Sequence, residues 1–403
     1  MTAQPRPDKL KRRQRAVRAL AALLILALGM FAFVSRTLYV GRSWIREEQA
    51  YEAAVAPAPA DYDEVALDFG RGFIGPDWQL YFNEPDASID RAHYANGLDE
   101  VLAAAIEKAT STLDIAAFEL NSDALRDAIA AAHDRGVQVR VVTDDVHGLQ
   151  DEGDPQLRDL VQAGVPLRDD DRSGLMHNKF LIIDQRMVWT GSWNYTVNGT
   201  YRNNNNALVL ESVAAAAAYQ AEFDEMFERG EFGKRSRDDG QAVIAIDAGE
   251  ISILFAAEAD EISALIAEIE RAQRSIRFMT FIFSLEPLAE AMLLQAANAE
   301  VTIEGVFEAR NSTASWSQLP RLYCAGAAVR QDGNRYILHH KVIIIDDDTV
   351  ITGSFNFSRS AAERNDENIV IVRNAGVAAL YLEEWRRIWE SAENLAPDEV
   401  VCD

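Results

Sequence analysis

The sequence predicts an α/β fold built from two similar α/β units in tandem. Three observations carry that expectation. From about residue 77 onward, short β-branched runs alternate with stretches of helical spacing, the pattern of strand–helix–strand units. A polar signature recurs 162 residues later with every internal gap kept. Aromatic landmarks recur with it: Phe118 precedes His177 by 59 residues and Phe281 precedes His339 by 58.

The elements follow in chain order. Residues 1–18 hold Arg6, Lys9, Lys11, Arg12, Arg13, Arg15 and Arg18 against Asp8 and read as a basic cytoplasmic tail. Ala19 to Val34 is apolar without interruption, and Leu38, Tyr39 and Val40 extend it past Arg36. Residues 19–40 read as a single-pass transmembrane helix that anchors an extracytoplasmic catalytic body; a cleaved signal with a secreted body is the alternative. Residues 41–75, with Glu47, Glu48, Glu52 and an Ala-Pro-Ala-Pro-Ala run at 56–60, read as a linker.

The first unit spans 76–232. Trp78 to Phe82 reads as a strand and Leu98 to Ala109 as a helix with Asn96 as its cap. Leu113 to Leu120 is strand-like, Ser122 to Asp134 helical, and Gln138 to Thr143 a strand after Gly136. The alternation implies parallel strand order. Val213 to Tyr219 reads as a packed helix. Residues 233–250 break the periodicity and read as a linker. In the second unit, 251–398, strands are expected at Ile251–Phe255, Ile276–Phe283 and Val301–Phe307, with helices at Asp260–Ala272 and Glu286–Ala297.

Composition narrows the function. The chain carries a formal net charge of −25, and its basic tail makes the remainder more acidic still. Such a body repels polyanions at long range, so nucleic acid is a possible partner but not a favoured one. Two cysteines, Cys324 and Cys402, form neither a disulfide framework nor a zinc site, and pairing or separate thiols both stay open.

The signature reads His177-Asn178-Lys179, Asp184, then Gly191-Ser192-Trp193-Asn194. Its second copy reads His339-His340-Lys341, Asp346, then Gly353-Ser354-Phe355-Asn356. Phe180–Ile183 and Val342–Ile345 are buried-strand sequences, and the Asp of each copy starts a turn. His and Lys, two apart at a strand start, share one face, and a hairpin returns Ser and Asn beside them. His titrates near neutrality, Lys is a compact cation, and Ser and Asn add neutral donors. Two such sets around one point suit phosphate: one imidazole attacks phosphorus, the other protonates the leaving oxygen, and Lys and Asn hold the remaining oxygens. His-x-Lys is not a metal-ligand spacing. Phe118 and Phe281 read as core, His340 as structural, and His147 as a solvated histidine.

These paired H-x-K-x(4)-D-x(6)-G-S-x-N motifs resemble the phospholipase D superfamily, over about residues 77–397. The resemblance implies two similar α/β units, each a mixed sheet flanked by helices, packed as a pseudo-dimer within a monomer. It implies a phosphodiesterase working through a phosphohistidine, with His177 as nucleophile and His339 as proton donor, and with no metal or cofactor. Lys179, Lys341, Asn194 and Asn356 would bind phosphate together with Ser192 and Ser354, which also order the site. Asp184, Asp346, Gly191 and Gly353 would support the motif turns. In this family an acidic residue downstream commonly orients a histidine of the other half. Glu367, 28 residues after His339, fits that role behind His177, whereas Asn205, 28 after His177, stands behind His339. The implied substrate is a phospholipid headgroup diester. A nuclease of the same superfamily and a cardiolipin synthase-like phosphatidyl transferase are the alternatives.

Overall fold

The computed structural model describes residues 62–150, 155–237, 240–257, 260–297, 301–310, 312–396 and 399–402. The basic tail, the anchor expected at 19–40 and most of the linker expected at 41–75 lie outside the described residues. Among those described, no helix is long and apolar enough to cross a membrane.

Two nine-stranded sheets form the body. The first contains β1 (Asp63–Leu67), β2 (Gly70–Ile74), β3 (Trp78–Asn83), β4 (Thr112–Ala117), β5 (Gln138–Thr143), β6 (Leu167–Asp169), β7 (Lys179–Ile183), β8 (Met187–Gly191) and β9 (Asn206–Glu211). Their spatial order is β1-β2-β3-β9-β8-β7-β4-β5-β6. The second contains β10 (Ala242–Ile246), β11 (Gly249–Phe255), β12 (Ser275–Thr280), β13 (Thr302–Phe307), β14 (Ala328–Gln331), β15 (Lys341–Ile345), β16 (Thr349–Gly353), β17 (Asn368–Arg373) and β18 (Glu393–Asn394). Its order, β10-β11-β17-β16-β15-β12-β13-β14-β18, repeats that of the first sheet from β2 to β6.

Strand order is mixed, not parallel throughout. Only the strands joined by helical crossovers, β4-β5-β6 and β12-β13-β14, run parallel. The motif strands β7–β8 and β15–β16 are hairpins, whose short turns force antiparallel pairing.

Both linker expectations need correction. The end of the 41–75 stretch is the β1–β2 hairpin, which extends the first sheet and buries Phe69 and Phe73. The 233–250 stretch contains β10 and the start of β11. Its alternation from Ala242 to Ile246 is that of an edge strand with a single well-buried residue, Ile244, so the apolar signal was weak. The helix Leu98–Ile106 is capped by Gly97; Asn96 instead takes a left-handed φ of 50° and donates to Asp68. Ser122 caps Asp123–Asp134 as its sequence predicts.

Three apolar clusters follow from this layout. One lies on the outer face of each sheet, and the third is shared by both repeats. The shared cluster joins Phe82, Phe180 and Tyr219 with Val342, Val370 and Tyr381. The helix Val213–Asp224, capped by Ser212, packs on β7 and β8 of its own sheet and on β10 and β11 of the other. Ala375–Ser391, capped by Asn374, packs on β15, β16 and β17. Trp193 and Phe355 lie in the two outer clusters, as core residues. Cys324 and Cys402 form a disulfide that ties the C-terminal segment to the helix Leu319–Cys324.

Candidate active site at the junction of the repeats

Both motif hairpins open toward the other repeat. The His177 amide donates to the Asp366 carbonyl at 3.0 Å, and the Asp366 amide to the Leu175 carbonyl at 2.9 Å. The mirrored pair is His339 to Asn204 and Asn204 to Ile337, both at 2.9 Å. Each motif strand thus begins by pairing with the chain segment that precedes β9 or β17 of the other repeat. Two-residue spacing then points His and Lys to one side. Lys179 Nζ donates to the His177 carbonyl at 2.6 Å and Lys341 Nζ to that of His339 at 2.8 Å.

The turns are fixed as the motif implies. Asp184 and Gln185, like Asp346 and Asp347, hold left-handed φ angles. The Asp184 carboxylate accepts the amides of Thr110, Ser111 and Thr112 and both nearby hydroxyls. Although burial pushes its pKa up, these bonds hold the carboxyl well below its ordinary value. Asp346 accepts the amides of Gln273, Arg274 and Ser275. Glycine is required at the end of each return strand. A Cβ on Gly191 would lie 2.4 Å from the Asn206 carbonyl oxygen, and one on Gly353 would lie 2.3 Å from that of Asn368.

The rings are held across the junction. His177 Nδ1 lies 2.7 Å from Glu367 Oε2. His339 Nδ1 lies 2.9 Å from Asn205 Oδ1 and 3.1 Å from the Ser192 carbonyl. The motif serines serve these partners: Ser192 Oγ donates to Asn205 at 3.0 Å and Ser354 Oγ to Glu367 at 2.7 Å. Both serine side chains are fully buried, with each hydroxyl proton given to the residue that holds a ring.

The two asparagines differ. Asn194 Nδ2 donates to Glu119 Oε2 at 3.0 Å. In the second repeat Ile282 stands where Glu119 stands in the first, and no such partner engages Asn356 among the described residues. The Asn194 amide is thus engaged by a carboxylate where its counterpart is not. Phe118 and Phe281, expected in the core, form walls: their rings lie 4.6 Å from His177 and 4.8 Å from His339. The Lys179 and Lys341 ammoniums sit 4.8 and 5.4 Å from the same rings. His147, expected to be solvated, packs against Phe118 in a tilted contact at 4.6 Å with Nδ1 3.7 Å from Glu119. Neither Glu119 nor His147 has a repeat counterpart, so no periodic signal marked them. His340 points to the opposite side, as expected, where it bonds Glu384 and Asn206.

Electrostatics follow from burial and convergence. Burial first, then Lys179 and Lys341, push the His177 pKa well below its ordinary value. Burial, Lys341, Lys179 and His177 do the same to His339, so the two rings face one charged space. Burial lowers Lys179 to about 8 against the pull of Glu367 and Glu119, and it lowers Lys341 further. Burial raises Glu367 to about 7. Two crowded, desolvated lysines and two imidazoles want an anion, and a phosphodiester in the cleft supplies one. Lys341 Nζ lies 3.3 Å from His339 Nε2, so protonating that ring calls for the same anion.

A family model described as cardiolipin synthase, phospholipase D-like domain, matches residues 102–227 and again 265–389, together more than half of the chain. The chain belongs to the phospholipase D-like family. The Phospholipase D of Rickettsia prowazekii is 32% identical over 144 residues, 36% of this chain and 70% of that protein. The mitochondrial cardiolipin hydrolase of Xenopus tropicalis is 36% identical over 121 residues, 30% of this chain and 57% of that protein. The chain thus spans little more than half of the cardiolipin hydrolases it matches first. The phosphatidylserine synthase of Haemophilus influenzae has the same fold across both repeats, with a TM-score of 0.55, 14% identity, and coverage of 74% of this chain and 85% of that one.

Proposed function

We propose that this phospholipase D-like chain is a phosphodiesterase that hydrolyses the headgroup-side bond of phospholipids through a phosphohistidine on His177. The observation that carries the reading is the reciprocal clamp: each buried imidazole is oriented at Nδ1 by a side chain of the other repeat, which leaves its Nε2 for chemistry. In the first step His177 Nε2 attacks phosphorus, the bond to the headgroup oxygen breaks, and His339 Nε2 gives that oxygen a proton. Lys179, Lys341 and Asn356 hold the non-bridging oxygens. In the second step His339 takes a proton from water, the water oxygen bonds to phosphorus, and the nitrogen–phosphorus bond breaks. Glu367 supports the positive phosphoimidazole, a task an amide cannot perform, which favours His177 over His339 as nucleophile.

Lipid is favoured over nucleic acid by the acidic body and by the names of the lipid-acting relatives. An anchor at 19–40 would hold the site beside its substrate. The test incubates the full chain in EDTA with vesicles of phosphatidylethanolamine, phosphatidylglycerol and cardiolipin, together with single-stranded DNA. Phosphatidic acid and free headgroup are expected. DNA nicking alone would replace the lipid reading with the nuclease, and headgroup exchange without phosphatidic acid would replace it with a transferase.

A further inference from the structure

Behind the two histidines, the repeats use one strut built from different chemistry. In the second repeat Asn334 Nδ2 reaches three oxygens: the Arg202 carbonyl at 3.1 Å, the Ile337 carbonyl at 3.2 Å and Asn204 Oδ1 at 2.6 Å. Subtracting the 162-residue repeat from Asn334 and Ile337, and adding it to Arg202 and Asn204, gives Arg172, Leu175, Arg364 and Asp366. Arg172 makes those same three contacts: Nη1 to the Arg364 carbonyl at 2.7 Å, Nη2 to the Leu175 carbonyl at 3.0 Å, and Nη2 to the Asp366 carboxylate. It adds Asp170, 3.2 Å from Nε, and the Phe232 ring at 5.6 Å. The slot is made by glycines. A Cβ on Gly233 would lie 2.4 Å from Arg172 Nη1, and one on Gly174 would lie 2.8 Å from it.

A neutral amide therefore suffices to join the strands, and the guanidinium must answer to something beyond architecture. Its partner Asp366 is buried, with its pKa pushed up to about 7 by burial and, less strongly, by Glu367, while Arg172 opposes both. Glu367 is next in sequence and holds the His177 ring. We infer that Arg172 is a positioning residue for the His177 nucleophile: it bridges the approach to His177 and the Asp366–Glu367 segment of the other repeat, and keeps that segment charged. The inference rests on the phosphodiesterase reading above. Without the guanidinium a proton would settle on Asp366, and the segment that carries Glu367 would lose the ion pair that fixes it against the approach to His177.

The charged groups around the pair are Arg172 and Asp170 on the Asp366 side, and His177, Lys179 and Lys341 on the Glu367 side. The test follows kcat, KM and pH–rate profiles of the full chain on a synthetic bis-nitrophenyl phosphodiester. Arg172→Asn is expected to lower kcat at least tenfold, with KM within threefold. Its acid limb should move up by about one pH unit, because Asp366 then ionises later. Arg172→Asn with Asp366→Asn rebuilds the amide strut, and is expected to return the limb and part of kcat. Arg172→Lys keeps the charge but cannot span three acceptors, so kcat should fall with the limb unmoved. Wild-type kcat and profile in Arg172→Asn overturn the inference, as does a loss of kcat with no movement of the limb. Should Arg172→Asn not fold, wild-type kcat in Arg172→Lys overturns it. A wild-type chain inactive on every diester removes the underlying reading as well, which separates the two failures.

Discussion

Glu367 and His177 share a 2.7 Å hydrogen bond although 190 positions separate them in the chain. The first motif histidine of one repeat is thus held by the carboxylate of the other. Glu367→Gln keeps the shape and removes the charge. We expect phosphoenzyme formation to slow by about 10²-fold, measured by rapid-quench trapping of label from a phosphate-labelled substrate. An unchanged rate would show that His177 is not the nucleophile. His177→Asn should abolish the trapped species.

Under the proposed acid role for His339, the leaving group is decisive. His339→Asn should slow cleavage of an alcohol headgroup by about 10²–10⁴-fold. It should slow release of nitrophenolate, which needs no proton, far less. Comparing the two substrates on the same variant checks this, and an equal loss on both would move the proton donor elsewhere.

The amide at Asn205 has a pH consequence. His339 must be protonated to act as the acid, and burial with Lys341 and Lys179 depresses its pKa. Activity in kcat/KM should therefore fall as pH rises through a value below the ordinary histidine range. Asn205→Glu copies the Glu367 arrangement, with Asn203 standing where Asn365 bonds Glu367 at 3.1 Å. A carboxylate behind the ring should extend the alkaline limb upward by about one unit. A limb that stays put would deny that His339 sets it.

Asp184 acts on stability. Asp184→Ala strips the acceptor from three amides and two hydroxyls and should cost about 2–3 kcal/mol, read from denaturant midpoints. The wild-type carboxyl has a depressed folded pKa, so its contribution is present above the unfolded value and is lost as pH falls through the folded one. The stability difference between wild type and variant should close on acidification.

The duplicated motif made the site legible because spacing survives where composition drifts. Both His/Lys pairs, the Asp turns and the motif glycines could be read from aligned positions, whereas the crossed Glu367 and Asn205 partners came from the resemblance to the family. Phe118 and Phe281 were also marked by the repeat, but an apolar residue at a strand end looks the same whether it faces a core or a catalytic ring. Glu119 and His147 carried no signal, having no counterpart. Alternating strands and helices marked only the parallel part of each sheet; the mixed order came from the motif hairpins and the family resemblance. The edge strands β1 and β10, and β2 beside the first of them, were misread because half-exposed strands dilute the apolar pattern that marks buried ones.

The crossed clamp also bears on why the two copies share one chain. A homodimer of a single repeat must place an identical residue behind both rings, so any change tuned for the attacking histidine is imposed on the proton donor as well. Covalent tandem linkage lifts that symmetry. Glutamate with arginine can then serve one ring while a set of asparagines serves the other, and each half-reaction becomes separately adjustable by mutation.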